Sequence, residues 1–146
     1  MKEILIKRLS KNVGLPKYET NGSSGMDLSA NIDRPVIVNP GKTSIIPTGI
    51  SLSVPKNYEM QIRPRSGLAA KNQISVLNTP GTIDSDYRGE IKVILINLSD
   101  KIFTVEKGAR IAQMVLCPIV KIKLKEVKNL DETDRGSDGF GSTGIK

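Results

Sequence analysis

The chain has 146 residues and a formal net charge of +7, from 22 lysines and arginines against 15 aspartates and glutamates. It contains no histidine, no tryptophan and one cysteine, which excludes a Ser-His-Asp or Cys-His relay, a histidine-bound metal and a disulfide within the chain. Acid-base chemistry must therefore rest on carboxylates, lysines, tyrosines or one thiol, and we expect any metal to be a hard ion such as Mg²⁺ on oxygen ligands.

The start of the chain has no signature of a targeting or membrane segment. In residues 1–8, charged side chains flank the short apolar run Ile4-Leu5-Ile6, and the longer apolar run of a secretory signal is lacking. No later segment reaches the ~20 consecutive apolar residues that a transmembrane helix needs. We therefore expect a cytoplasmic protein with one hydrophobic core, since chains of this size bury about two-thirds of their unfolded surface.

Short runs rich in isoleucine, valine and leucine predict β-strands, and turn sequences such as Asn39-Pro40-Gly41 separate them. In chain order the predicted strands are residues 4–9, 35–38, 43–47, 49–54, 58–63, 73–77, 90–98, 102–105, 110–116 and 119–125. This spacing predicts a single all-β domain over residues 1–128. In the last run, alternation predicts a half-buried strand with Lys121, Lys123 and Lys125 facing solvent.

Two segments depart from the strand pattern. Residues 66–71 follow Pro64-Arg65 and predict one or two helical turns that Ser66 caps. Residues 129–146 are polar and glycine-rich, and Phe140 is the one large apolar side chain between residues 135 and 144. Because ordering costs ~1–2 kcal/mol per residue, this composition predicts a mobile C-terminal arm.

The short helical segment also predicts an anion site. The backbone N–H groups at its start, the Ser66 hydroxyl, the close approach that Gly67 permits and the Arg65 guanidinium can together hold a phosphate. The same residues are compatible with a capped surface helix that carries an incidental arginine.

Residues 81–90 place two carboxylates and one aromatic ring between two glycines. The segment is consistent with a β-hairpin beside a pocket, in which Asp84 and Asp86 point to the same face. The two carboxylates can supply a general base, a metal site or only the chemistry of a turn.

The arm resembles a phosphate-binding loop only in part. Gly136 and Gly141 have the spacing of a P-loop, but Ser142 stands where that motif requires lysine, which rejects a Walker site. The glycines and hydroxyls and Arg135 can still wrap phosphates, and Phe140 can cover a flat base. A flexible tail without function is the alternative.

Taken in order, these segments resemble the five sequence motifs of the trimeric dUTP diphosphatases (dUTPases). The matching segments are residues 25–30, 64–71, 81–89, 108–113 and 135–144. The resemblance implies an all-β, jelly-roll-like fold with one short helix and a flexible arm. It also implies a homotrimer whose active sites are shared between subunits, and hydrolysis of dUTP to dUMP and pyrophosphate with Mg²⁺.

The resemblance further implies roles for individual residues. Asp84 resembles the general base that activates water for attack on the α-phosphorus. The residues that resemble the uracil and deoxyribose site are Asn78, Gly81, Thr82, Ile83 and Tyr87. The residues that resemble the family's phosphate site are Arg65, Ser66, Gly67 and Gln113 in the body and Arg135, Gly141, Ser142 and Thr143 in the arm. Phe140, also in the arm, resembles a lid on the uracil ring.

Two positions carry open questions. Asp27 resembles a carboxylate that acts either through waters around Mg²⁺ or by holding neighbouring residues in place. Asp138 stands where the family usually has glycine, two residues before Phe140. An aspartate adds negative charge near a triphosphate, so we expect weaker closure of the arm with unchanged chemistry.

Two other functions are alternatives. A dCTP deaminase of the same superfamily uses a glutamate near its phosphate-binding segment, and residues 66–71 contain none. A nucleic-acid-binding module on the same fold predicts salt-sensitive affinity without turnover. Such a module does not need Asp84, Tyr87 and the arm, so we expect dUTP as the substrate and no nucleic-acid partner.

Overall fold

The computed structural model describes residues 3–139, which form short β-strands and one helix. The strands are β1 (Leu5–Arg8), β2 (Met26–Ser29), β3 (Val36–Val38), β4 (Thr43–Pro47), β5 (Ile50–Ser53), β6 (Tyr58–Arg63), β7 (Ile74–Val76), β8 (Gly81–Ile83), β9 (Lys92–Asn97), β10 (Phe103–Val105) and β11 (Arg110–Pro118). The helix α1 is Ser66–Asn72, between β6 and β7. The predicted all-β, jelly-roll-like class with one short helix is confirmed.

The strands form four small antiparallel sheets within the described residues. β1 pairs with β5, β10 pairs with β3, and β9 lies between β4 and β7. The largest sheet has the order β2-β11-β6-β8, with β11 and β6 in its middle and β8 at one edge. Five of the residues singled out from the sequence lie on this four-stranded sheet: Asp27, Gly81, Thr82, Ile83 and Gln113.

The hydrophobic core follows from alternation along the strands. In β9, Val93 and Leu95 are fully buried while Lys92 is exposed. In β6, Met60 and Ile62 point into the core, so the intervening residues lie on the opposite face of the sheet. In β6, the face away from the core therefore carries the polar residues Glu59, Gln61 and Arg63.

β11 breaks this alternation near its start. Ile111 and Ala112 are consecutive and both buried, and the register with β2 shifts between Arg110 and Ala112. Such a β-bulge adds one residue to a strand and re-aims the side chains beyond it. Arg110 consequently lies on the same outer face as Gln113, which pairs with Asp27 of β2.

The predicted strand over residues 119–125 is wrong. β11 continues to Pro118, and residues 119–126 form no strand in the described structure. Val120, Ile122 and Leu124 are 90%, 78% and 85% exposed, so the lysines between them do not form the outer face of a half-buried strand. The apolar alternation is present, but no strand of the described chain pairs with this segment.

The predicted hairpin around Asp84 is also wrong. β8 ends at Ile83 and pairs with β6, whereas β9 pairs with β4 and β7. Residues 84–87 form a turn closed by a hydrogen bond from the Tyr87 N–H to the Asp84 carbonyl (3.2 Å), so strand alternation does not apply to Asp84 and Asp86.

Two local expectations need correction as well. Ser66 is the first residue of α1 rather than its cap, because Arg65 occupies the N-cap position with extended backbone and makes no side-chain capping bond. Asp27 lies within β2, a strand that the sequence did not predict. Four residues with one fully buried member, Leu28, are too few for a recognisable alternation.

No helix among residues 3–139 is long and apolar enough to cross a membrane.

Asn97 is a buried polar anchor at the end of β9. Its Nδ2 donates to the carbonyls of Val38 (2.8 Å) and Lys101 (2.7 Å), and its Oδ1 accepts from the N–H and the hydroxyl of Ser99. We expect Asn97→Ala to lower the free energy of unfolding by about 2–4 kcal/mol, because buried carbonyls lose their donors. Urea denaturation at one fixed protein concentration measures this loss.

Thr104→Ala, at an exposed position of β10, is the matched control and should change the free energy of unfolding by less than ~0.5 kcal/mol. A loss below ~1 kcal/mol for Asn97→Ala would contradict the anchoring role.

Candidate active site

Three charged side chains meet where β2, β11 and the start of α1 come together. The Arg65 Nε donates to Asp27 Oδ1 at 2.9 Å, and the Arg110 Nη1 donates to Asp27 Oδ2 at 3.0 Å. The Arg65 Nη1 also donates to the backbone carbonyl of Arg110 at 3.2 Å. We call Asp27, Arg65 and Arg110 the arginine cluster; it joins residues from three of the matched segments.

The arginine cluster has one positive charge in excess and is partly shielded from solvent. The side chains of Asp27 and Arg65 are 19% and 26% exposed, and that of Arg110 is 52% exposed. An arginine has five N–H donors, and the Nη2 of Arg65 donates to no residue within 3–139. This nitrogen is available to an anion such as a phosphate.

Gln113 lies beside the arginine cluster. Its Nε2 donates to the Pro64 carbonyl at 3.0 Å, which ties β11 to the residue before Arg65. A Cβ added to Gly25 would lie 2.7 Å from Gln113 Oε1 and 3.1 Å from the Met114 carbonyl. Glycine at position 25 therefore permits the glutamine side chain to lie against the start of β2.

The beginning of α1 is next to Arg65. Ser66 and Gly67 are exposed, and the first N–H groups of a helix have no partners within it. A Cβ added to Gly67 would meet nothing within 4 Å, so the space around this residue is open to a ligand.

The second group of predicted site residues lies on β8 and the loop after it. We call residues 84–90 the Asp84 loop. The Arg88 Nη1 donates to the carbonyls of Ser85 and Tyr87, both at 2.8 Å. These bonds close the loop on itself, and the Asp84 carboxylate, which is exposed, accepts no hydrogen bond from the described residues.

Tyr87 and Asn78 flank this loop. The Tyr87 hydroxyl donates to the Glu90 carbonyl at 3.0 Å, and a Cβ added to Gly89 would overlap the tyrosine ring. The Asn78 side chain packs over Gly81, since a Cβ added there would lie 3.3 Å from Asn78 Nδ2. Thr82 is exposed and Ile83 packs against the core.

One chain does not bring the two groups together. β8 is antiparallel to β6, with Gly81 opposite Ile62 and Ile83 opposite Met60. The chain therefore moves away from Arg65 as it approaches Asp84, which lies near the level of Glu59. Six residues of extended chain separate Glu59 from Arg65, about 20 Å at ~3.3 Å per residue.

The arm residues are described only in part. The Arg135 Nε donates to the carbonyl of Asp138 at 2.9 Å, within a turn of exposed residues. Phe140, Gly141, Ser142 and Thr143 lie outside the described residues. The mobility predicted for residues 129–146 stays a prediction.

The oxygen atoms near the arginine cluster do not form a metal site by themselves, but they could accept hydrogen bonds from the waters of a hydrated hard cation. Among residues 3–139, no three acidic or cysteine side chains lie close enough to hold a metal by themselves. Both Asp27 oxygens already bond to arginines, which fits contact with an ion through water. Mg²⁺ keeps several waters and binds through substrate phosphates, so the oxygens of Asp27 and Gln113 fit its outer sphere.

Arg110 was named only as part of a motif in the sequence, without a role. Met114 and Val115 are also consecutive, apolar and buried but show no bulge, so no signal in the sequence singles out the pair Ile111-Ala112. A bulge at this pair turns Arg110 to the face of Gln113, but the sequence does not show which carboxylate meets it there.

Comparison with known proteins gives consistent matches. A family model described as dUTPase matches residues 11–144. The deoxyuridine 5'-triphosphate nucleotidohydrolase of Brucella melitensis biotype 2 is 57% identical over 137 residues, which are 92% of this chain and 87% of that protein. A mutant dUTPase of Staphylococcus bacteriophage 80alpha, solved with dUpNHpp, has a TM-score of 0.88 at 26% identity, covering 99% of this chain and 100% of that one.

A mutant dUTPase from phage phi11 of S. aureus, whose structure shows the coordination of a structural Mg(II) ion, is more distant. Its TM-score is 0.78 at 22% identity, covering 88% of this chain and 98% of that one, so this likeness concerns the fold alone. The family model spans almost the whole chain, and more than half of the positions aligned with the Brucella protein are identical. The chain therefore belongs to the dUTPase family.

Proposed function

We propose that the protein hydrolyses dUTP to dUMP and pyrophosphate. The observation that carries this proposal is the arginine cluster, in which three segments that match dUTPase motifs converge on one partly buried guanidinium with a donor to spare. A guanidinium held by a carboxylate is a strong partner for phosphate oxygens. The 57% identity to a dUTP nucleotidohydrolase supports dUTP as the triphosphate.

Asp84 is the general base in this proposal. Its carboxylate takes a proton from water, the hydroxyl oxygen bonds to the α-phosphorus, and the bond from that phosphorus to the bridging oxygen breaks to release pyrophosphate. Two observations support the role: the Asp84 carboxylate is exposed and has no hydrogen-bond partner within residues 3–139, and the Asp84 loop is bonded internally. With no histidine in the chain, a carboxylate is the natural proton acceptor.

Base selection is assigned to the free edge of β8. Because β8 is the edge strand, the backbone N–H and C=O groups of Gly81, Thr82 and Ile83 that face away from β6 have no ladder partner in the described sheet. Such groups can pair with the uracil edge, whereas cytosine would leave polar groups unpaired. The Asn78 amide lies beside this edge.

Sugar selection is assigned to Tyr87. Its hydroxyl bond to Glu90 and its contact with Gly89 fix the ring, which is 43% exposed. A fixed ring under the deoxyribose would collide with a ribose 2′-hydroxyl. UTP is therefore rejected by shape rather than by charge.

The phosphates are assigned to Arg65, to the helix start at Ser66 and Gly67, and to Gln113. Asp27 and Gln113 would hold a Mg²⁺ ion through water next to the triphosphate. When bound, the ion neutralises phosphate charge. From the arm, Arg135, Gly141, Ser142 and Thr143 contribute further phosphate contacts, and Phe140 covers the uracil ring.

A homotrimer with shared sites completes the proposal. A triphosphate cannot reach across about 20 Å of β6 from Arg65 to Asp84 of one chain, since the phosphates of one substrate lie within a few ångströms of each other. The base of one subunit must therefore meet the arginine cluster of another. The exposed apolar side chains of Val120, Ile122 and Leu124 support burial against another copy. The cytoplasmic location stays a prediction.

Substrate choice tests the function directly. Pyrophosphate release is measured with dUTP, dCTP, dTTP and UTP in the presence of Mg²⁺. We expect kcat/KM for dUTP to exceed the other values by at least about 10²-fold. Cytosine leaves polar groups unpaired and the ribose 2′-hydroxyl of UTP collides with Tyr87, whereas thymine has the same hydrogen-bonding edge as uracil and can be rejected only through the bulk of its 5-methyl group. Ammonia release from dCTP would favour the deaminase alternative, and nucleic-acid binding without turnover would favour the binding module.

The general base is tested by Asp84→Asn, which keeps the side-chain shape and removes the proton acceptor. We expect kcat to fall by about 10²–10⁴-fold. Asp86→Asn, in the same turn and equally exposed, is the matched control and should keep kcat within about threefold. Activity of Asp84→Asn close to that of the wild type would remove Asp84 from the role.

Shared sites are tested by co-expressing two inactive variants, Asp84→Asn and Arg65→Met, with different affinity tags. Random mixing should restore activity at about one quarter of the sites, because a site works when one subunit supplies Arg65 and another Asp84. Light scattering on the same sample should give the mass of a trimer. A mixed trimer without activity would contradict sharing, and a monomer that hydrolyses dUTP would contradict the assembly.

A further inference from the structure

We propose that Arg110 is a positioning residue that keeps one edge of the Arg65 guanidinium available to phosphate. The inference deepens the proposed function, on which it rests for the identity of the ligand. It concerns how the two oxygens of the Asp27 carboxylate are divided between Arg65 and Arg110.

The contacts of the arginine cluster form a closed ring. Asp27 accepts from Arg65 through Oδ1 and from Arg110 through Oδ2, and the carbonyl of Arg110 accepts from the Arg65 Nη1. Arg110 thus touches both members of the Asp27–Arg65 pair, one with its side chain and one with its backbone. Within residues 3–139, the Nη2 of Arg65 has no hydrogen-bond partner, and neither do the Nε and Nη2 of Arg110, whose side chain is more exposed.

The role of Arg110 follows from what Asp27 would otherwise do. A carboxylate and a guanidinium prefer a bidentate pair, in which two parallel N–H groups meet the two oxygens. The Nε and Nη2 of an arginine form such a parallel edge, and the Nε of Arg65 already meets Oδ1. Because the Oδ2 of Asp27 accepts from Arg110, it does not accept a hydrogen bond from the Nη2 of Arg65.

The bulge in β11 makes this arrangement possible. Without the extra residue, Arg110 would lie on the core side of the strand, opposite to Gln113 and Asp27. With it, Arg110 reaches Asp27, and the Oε1 of Glu19 lies 4.0 Å from the same Nη1. The order of charges from Glu19 through Arg110 and Asp27 to Arg65 alternates in sign, which favours the observed pairing.

Binding of the non-hydrolysable analogue dUpNHpp tests the role, measured by calorimetry in EDTA on the intact assembly. We expect Arg110→Met to weaken binding by about tenfold, a value suited to a partly exposed charged hydrogen bond. Arg110→Lys should recover part of the loss, because an ammonium can still occupy Oδ2. Lys107→Met, which removes a neighbouring exposed lysine, is the control and should stay within about twofold.

A double-mutant cycle separates positioning from a general structural role. In an Arg65→Met background, adding Arg110→Met should change the dissociation constant by less than about twofold, since no guanidinium is left to position. An equal loss in both backgrounds would overturn the proposal, as would a loss for Arg110→Met no larger than that for Lys107→Met. The urea midpoint of each variant shows whether the fold is retained. If Arg110→Met does not fold, the dissociation constants of Arg110→Lys are compared in the two backgrounds instead.

The wild-type rate on dUTP keeps the two proposals apart. If the wild type binds dUpNHpp but hydrolyses no dUTP, the proposed function fails and the binding ratios still decide the role of Arg110. If it binds no dUpNHpp, the same cycle with inorganic triphosphate decides that role.

Discussion

The ion pair between Asp27 and Arg65 is the interaction on which the functional surface depends. It joins β2 to the connection between β6 and α1, two segments that are 38 residues apart in the chain. The pair is only partly buried, so its contribution to folding is modest, about 1 kcal/mol or less. The pair matters because it fixes the orientation of the Arg65 guanidinium, so that a defined edge of this group can bind a phosphate.

The four-stranded sheet explains why this edge and the proposed base are far apart in one chain. β6 lies between β11, which carries Gln113, and β8, which leads to Asp84. Because β8 is antiparallel to β6, the arginine cluster and the Asp84 loop belong to opposite ends of the sheet. A rigid sheet cannot bend to close that separation, which makes association of subunits a requirement of the proposed chemistry.

Much of the fold was predictable from local pattern, and the failures have physical causes. β4 and β6 were predicted with their observed bounds, and β9 lies within the strand predicted over residues 90–98. Residues 119–125 have a regular apolar alternation but no partner strand within the described chain, and a strand needs both. β2 was missed because four residues with one fully buried side chain give no recognisable period.

The sequence by itself determined the fold class, the absence of imidazole chemistry and the residue types available at the site, because these depend on composition, local periodicity and motif order. Tertiary structure alone decided which residues meet. Asp27 could have belonged to a turn, and nothing in its neighbourhood pointed to arginines 38 and 83 residues away. Those contacts arise from strand register and from one bulge at Ile111, and register depends on pairing across the whole sheet.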